Sequence, residues 1–259
     1  MLVIISPSKT LDFNKTNKNL PMTKPKFLRE AKILVNELKK YDSFSLSKLM
    51  KISDKLATLN KDRFEKWTDS LENSRQCLIA FKGDVFNGID VGSFNEEDFF
   101  YTNEHLRILS GLYGLLNPFD GINLYRLEMG IKFIFNNYKN LYEYWDNKLI
   151  NKILKDISKT ENNILVNLAS YEYFKSIEDI KKLNPNIKIV TPIFKEYKNG
   201  EYKIISIKAK RARGLMTAFI MKNQINNVDN IKKFDLEGYK FDENLSNNED
   251  LVFTRHNEE

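Results

Sequence analysis

Arg126 and Glu128 stand two residues apart in YRLEMG, and they are the pair in this chain best placed to do chemistry. In an extended segment alternate residues point the same way, so both side chains would share one face. An arginine there holds a phosphate or carboxylate through its planar fork. A glutamate beside it orients the arginine or takes a proton. The competing reading is a buried structural ion pair. Just upstream, Gly111 and Gly114 lie in LRILSGLYGLLNPFDGIN. Without a Cβ, a glycine lets backbone approach closely or take positive φ. Asn117-Pro118 and Asp120-Gly121 add a double turn signal. The stretch reads as an apolar helix, a glycine-rich turn and a segment with a charged tip, a backbone site for an anionic partner. The alternative is that the glycines permit tight packing under the core, with Tyr113 buried.

Other polar residues belong to the same kind of site. In NLASYEYF a strand is expected to deliver Asn167, Ser170 and Glu172 to its carboxyl end, where α/β proteins bind their ligands. Lys9 follows the first strand in a similar loop. The block IKAKRARG carries Lys208, Lys210, Arg211 and Arg213 with no acid among them. Lys9, Arg126, Glu172, Lys208, Arg211 and Arg213 are expected to line one cleft. Tyr173 would stack there, and Glu172 would pair with Lys208 or Arg211. Arg107 is a further source of flanking charge. Glu128, Ser170 and Glu172 are the catalytic candidates, and Lys9, Gly111, Tyr113, Gly114, Arg126, Lys208, Lys210, Arg211 and Arg213 the anion-binding ones.

These residues need elements to hold them. The chain has 259 residues, 42% hydrophobic and 12% aromatic, enough for one large core. LVIIS (2–6) reads as a strand, and residues 26–40 show helical spacing at Phe27, Ala31, Leu34, Val35 and Leu38. Helices are expected in LSKLMKI, from Ser53 or Asp54 through Trp67, from Asn103 through HLRILSGLY, over 140–157 and over 214–224. Strands are expected at CLIAF (77–81), 163–170 and 188–207, the last folded back at Asn199-Gly200. Short strands at Tyr239–Phe241 and Leu251–Thr254 would close the chain. Strands and helices alternate without a long linker, so one mixed α/β domain is expected over 1–259, with a sheet core surrounded by helices.

Several classes are excluded. No run of about 18 apolar residues exists, and the opening MLVIISPSKT lacks a basic leader, so a cytoplasmic protein without membrane contact is expected. The single cysteine, Cys77, is expected to be a small buried residue. His105, at an expected helix start, and His256 are far apart, so no metal site, no cofactor and no histidine-based triad is expected. No Walker A loop, GxGxxG or GxSxG occurs. The net charge of +6 and a pI near 9.0 admit nucleic acid as a partner, although lysine far outnumbers arginine, as genome composition alone can produce. Residues 1–60 hold twelve Lys/Arg against five Asp/Glu, so the charge is unevenly spread.

SPSKTLDF, FKGDVFNGI, SGLYGLLNPFDGINLYRLEMG, YWDNKL, NLASYEYF and KAKRARG, in this order over residues 6 to about 214, resemble the YaaA family of bacterial peroxide-stress proteins. The resemblance implies a cytosolic protein with a compact, cantaloupe-like fold built around a sheet. It implies binding of duplex and branched DNA through a positively charged cleft and a helix–hairpin–helix element. It also implies protection against hydrogen peroxide, with lower unincorporated iron and less DNA damage. A helix–hairpin–helix aims hairpin N–H groups at a phosphate. Here the candidate is Gly111-Leu112-Tyr113-Gly114, whose glycines are three apart rather than the usual two. Two functions remain open: a DNA-binding protective protein with sequence-tolerant contacts, or an enzyme acting on a nucleotide-like or phosphorylated small molecule in a basic cleft.

Overall fold

The computed structural model describes residues 1–14 and 20–256. Its centre is a sheet of eight strands: β1 (Leu2–Ile5), β2 (Leu106–Ser110), β3 (Gly114–Leu116), β4 (Ile164–Leu168), β5 (Lys188–Lys198), β6 (Glu201–Lys203), β7 (Lys240–Phe241) and β8 (Asp250–His256). They lie in the order β7-β8-β5-β4-β1-β2-β3, with β6 on β5. The five inner strands are parallel, and the outer pairings β2–β3, β5–β6 and β7–β8 are antiparallel. β1 sits in the middle, Ile5 opposite Ile108 of β2 and Leu168 of β4. All four of its residues are buried, as both faces of a parallel sheet demand.

Helices α1 (Leu28–Leu38), α2 (Ser43–Met50), α3 (Asp54–Lys66), α4 (Asp84–Ile89), α5 (Glu96–His105), α6 (Leu141–Ile157) and α7 (Ser206–Lys222) surround the sheet. The expected apolar stripe of α1 is buried through Ala31, Leu34, Val35 and Leu38. α6 buries Leu141, Trp145, Leu149 and Ile153, as its spacing indicates. The Asn199-Gly200 turn joins β5 to β6 with φ of 54° and 84°, the positive values a tight hairpin requires.

The stretch 106–116 differs from its expected form. It is strand, turn and strand, with no helix, so a helix–hairpin–helix is not formed there. The preceding helix is α5, capped at Asn95, whose side chain and that of Asp98 exchange hydrogen bonds with each other's backbone. His105 ends that helix rather than starting it. Asn103 instead accepts a hydrogen bond from Phe119 N–H at 3.0 Å. LRILS is buried at every position, and a short apolar run has no periodicity to separate a buried strand from a helix. CLIAF also differs. Cys77–Ala80 is one helical turn, and only Phe81–Lys82 is extended, pairing with Thr10–Leu11. Cys77 is fully buried, its thiol within hydrogen-bond reach of the Asn117 carbonyl at 3.0 Å.

The NPFD turn is tied down by Asp120, which is fully buried and accepts from Thr23 Oγ1 at 2.7 Å and Asn117 N–H at 2.8 Å. Burial pushes its carboxyl up to about 6 against those hydrogen bonds. A carboxyl raised in the folded state binds its proton more tightly there than in the unfolded chain. Its contribution therefore favours the fold at about pH 4 and is lost as pH rises to about 6, a change of roughly 3 kcal/mol at 1.36 kcal/mol per pH unit. Urea denaturation of wild type and Asp120→Asn at pH 5 and 7 should show this falling component in the wild type alone. Parallel pH dependence in the two proteins would remove Asp120 as its source.

Candidate anion-binding cleft

Counting only the parallel strands in chain order, the sheet reads 2-1-3-4-5, and its direction of growth reverses between β1 and β4. Loops leaving the carboxyl ends of two such strands part to opposite faces, and the crevice between them is where open α/β sheets bind ligands. Here the loop after β1 supplies Ser6, Pro7, Ser8 and Lys9, and the segment after β4 supplies Ser170 and Glu172. The two exits are fastened together. Ser170 N–H donates to Ser6 Oγ at 2.8 Å, and the two hydroxyls are 3.2 Å apart. Asn167 is buried and lines neither cavity, and its side-chain oxygen accepts from Ala169 N–H at 3.1 Å.

A third wall comes from α4 and α7, which cross at backbone contact. A Cβ on Gly214 would lie 1.9 Å from the Val85 carbonyl oxygen, and one on Gly88 2.3 Å from that of Arg211. Only glycine at both positions permits this crossing. It brings FKGDVFNGI against KAKRARG and turns Lys210 and Arg213 towards Ser6 and Ser170. The basic block lies in the first half of α7, which takes over Ser206 and Ile207, where the sequence predicts strand. The result is an inner cavity of about 270 Å³ lined on its polar side by Ser6, Lys9, Ser170, Glu172, Lys210 and Arg213. Its apolar side is Val85, Phe86, Leu168 and Tyr173. Burial lowers the Arg213 guanidinium from its ordinary value.

An outer cavity of about 750 Å³ adjoins it, sharing Lys9 and Glu172. Arg126, Glu128, Lys48, Lys51 and Lys132 complete its charged lining. As the spacing in YRLEMG predicts, Arg126 and Glu128 lie side by side. Arg126 Nε and Nη2 donate to Glu128 Oε1 at 3.1 and 2.9 Å. Lys9 Nζ is 3.2 Å from the same oxygen. Glu128 is only 8% exposed, and its Oε2 is buried with no hydrogen-bond partner. Glu172 Oε1 accepts from Gly130 N–H at 3.0 Å, and the Tyr142 hydroxyl donates to the Glu172 carbonyl at 2.9 Å. Burial, with Glu172 nearby, pushes the Tyr142 phenol up to about 12, so it keeps that proton at neutral pH.

The expected cleft residues therefore separate into groups. Lys9, Arg126, Glu128, Ser170, Glu172, Lys210 and Arg213 meet along the two cavities. Arg211 turns aside to Glu237, its Nε and Nη2 2.7 and 2.6 Å from Oε1, and Lys208 is exposed and lines neither cavity. Glu172 pairs with neither. Gly111, Tyr113 and Gly114 are buried, so they present no surface to an anion. A Cβ on Gly111 would meet the Leu127 carbonyl at 2.3 Å, and the Tyr113 hydroxyl accepts from Trp67 Nε1 at 2.9 Å. This is the tight-packing alternative, and it places YRLEMG by backbone contact. Arg107 is buried as well, donating to Asp156 at 2.7 Å. Sequence reasoning missed Lys48, Lys51, Lys132 and the two serines after β1. The only signal for Lys48 and Lys51 was their spacing around the end of α2, where Lys51 takes φ of 53°.

The geometry defines an open α/β protein with a cation-rich cleft at the reversal point of its sheet. The chain belongs to the family of peroxide stress protein YaaA, whose family model matches residues 1–245. It is 71% identical over 257 residues to a UPF0246 protein of Clostridium botulinum (strain Alaska E43 / Type E3), covering 99% of this chain and all of that protein. A UPF0246 protein of Saccharophagus degradans is 48% identical over 98% of this chain and 99% of its own length. Another, from Clostridium perfringens strain 13, is 43% identical over 98% of this chain and its own full length. Among the described residues no helix is long and apolar enough to cross a membrane, and no group of three or more His, Cys, Asp or Glu is placed to hold a metal ion.

Proposed function

We propose that the protein works in the peroxide stress response as a cytoplasmic DNA-binding protein that grips duplex or branched DNA by its phosphates and so limits damage to it. The observation that carries this reading is the continuity of the two cavities, which share Lys9 and Glu172. Five cations line the outer one, Lys9, Lys48, Lys51, Arg126 and Lys132, against two carboxylates, Glu128 and Glu172. Lys210 and Arg213 extend the row inward. Cations in a line follow a phosphate backbone and position it without reading bases. The trough, rather than a helix–hairpin–helix, is the gripping element in this reading. The link to lower free iron rests on the family resemblance alone.

Fluorescence anisotropy of labelled linear duplex and four-way-junction DNA, titrated at several salt concentrations, tests it. Lys51→Ala and Arg213→Ala should each weaken binding similarly on unrelated sequences and flatten the salt slope by about one unit. Arg211→Ala should change little, because Glu237 already neutralises that side chain. Wild-type binding that vanishes at modest salt, with no effect of the trough variants, would reduce the interaction to a lysine-rich surface.

One observation favours a second reading, an enzyme acting on a phosphorylated small molecule. Glu128 keeps one carboxylate oxygen unpartnered beside Lys9 and Arg126, more than phosphate gripping needs. Turnover in a screen of phosphorylated metabolites, abolished in Glu128→Gln, is the outcome that would put this reading first.

A further inference from the structure

The inner cavity is built differently from the trough that leads to it. It is walled by three separate elements, the loop after β1, the segment after β4 and the α4–α7 crossing. Its volume of about 270 Å³ lies near the lower end of the range for small-molecule sites. It is too narrow to admit a double helix, whose major groove alone is about 12 Å wide. Its lining mixes charged, hydroxyl and apolar groups. Lys9, Lys210, Arg213 and Ser170 offer positive charge and donors, and the Glu172 carboxylate beside them is held by Gly130 N–H at 3.0 Å. Arg213 is partly buried and has no ion pair with any described carboxylate. Ser6 Oγ can donate to Ser170 Oγ, which leaves the Ser170 hydroxyl proton for a ligand oxygen. Val85, Phe86 and Tyr173 supply apolar surface, and the Asp84 carboxylate is a further acceptor. A ligand that fits this lining has a compact anionic end, a flat apolar body and hydroxyl or amino groups.

We propose that this cavity seats one 5′-phosphorylated nucleoside, its phosphate on Arg213, Lys210 and Ser170 and its base against Phe86 and Tyr173. The nucleotide comes either free from solution or as a residue turned out of a strand held in the trough; the second source rests on the DNA-binding reading, the first does not. Turning a nucleotide out costs a few kcal/mol of stacking, least at a mismatch or damaged base. An inner seat of this kind would direct the protein to such positions.

Two probes separate the sources. Calorimetry with each nucleoside 5′-monophosphate, and with the unphosphorylated nucleoside, reads the free ligand. Fluorescence of 2-aminopurine opposite a mismatch in a duplex reads extrusion. Arg213→Ala should weaken free-nucleotide binding by about tenfold or more, the worth of one charge-assisted contact. Lys210→Ala, at an exposed position, should weaken it in the same direction without touching the fold. Lys51→Ala should leave free-nucleotide binding unchanged, since Lys51 lines only the outer cavity. Monophosphate binding that requires the phosphate supports the seat with a free source. A rise in 2-aminopurine fluorescence, lost in Lys210→Ala at protein concentrations where anisotropy shows the duplex still bound, supports it with a strand source. Normal DNA affinity with neither signal overturns the seat and leaves the DNA reading standing. Monophosphate binding without DNA affinity does the reverse.

Discussion

Gly214→Ala should destabilise the fold by about 3 kcal/mol, at the upper end of overpacking costs, and should abolish anion binding with it. The added methyl would sit 1.9 Å from the Val85 carbonyl oxygen and 2.9 Å from the Gly88 Cα. Both are backbone atoms, so no rotamer change relieves the clash, and α4 and α7 must separate. Separation widens the gap between Lys210 and Arg213 on one side and Ser6 and Ser170 on the other. Gly88→Ala should act alike, through the Arg211 carbonyl at 2.3 Å. Gly200→Ala is the useful contrast. Nothing lies within 4 Å of its new methyl, and its cost is the backbone strain of φ 84°, about 1–2 kcal/mol. Chemical denaturation and anisotropy on the same samples read both effects. A Gly214→Ala protein that unfolds like the wild type would show that the crossing is not the clamp described here.

Asp156→Ala should cost about 3–5 kcal/mol, the range for removing one partner of a buried charge pair. Asp156 receives Arg107 Nε at 2.7 Å and Lys152 Nζ at 2.5 Å, and Arg107 is 7% exposed. The three charges also line a cavity of about 480 Å³. Burial works to raise the Asp156 carboxyl, but the Arg107 charge and the hydrogen bonds from Lys152 and Arg107 outweigh it and hold it below its ordinary value. Its stabilising share is therefore present above the ordinary carboxylate range and is lost as pH falls through the lowered folded value. This is opposite in sign to Asp120. Thermal melts from pH 7 down to pH 3 should show the wild type losing an acid-labile component that Asp156→Ala lacks. A variant within about 1 kcal/mol of wild type at pH 7 would overturn the assignment.

The sequence made some of this legible and hid the rest for identifiable reasons. Helices α1 and α6 and the β5–β6 hairpin follow from period and turn chemistry, which are local. The side-by-side placement of Arg126 and Glu128 follows from an alternation of two, also local. Delivery of Ser170 and Glu172 beyond the end of β4 follows from where strands stop. What failed depends on tertiary contact. LRILS has the composition of either element, and only burial on both faces makes it a strand. Arg107 looks like a surface charge until Asp156, 49 residues later, is seen to cover it. Gly111 and Gly114 are special residues, as expected, but their requirement comes from Leu127 and Trp145 pressing on them rather than from an anion. Lys48 and Lys51 carry no motif and enter the cleft only because α2 ends beside it.

The burial of Cys77 also bears on cysteine oxidation in this chain. Peroxide oxidises cysteine through the thiolate, and desolvation pushes the Cys77 thiol well above its ordinary value, with the Asp120 charge adding to it. The chain's only sulfhydryl therefore keeps its proton and lies out of reach of solvent. A sulfenic acid signal, a disulfide partner and the reductase that would reset them have no starting point in the folded chain. Burial and a protonated thiol make Cys77 a poor target for hydrogen peroxide in the folded chain.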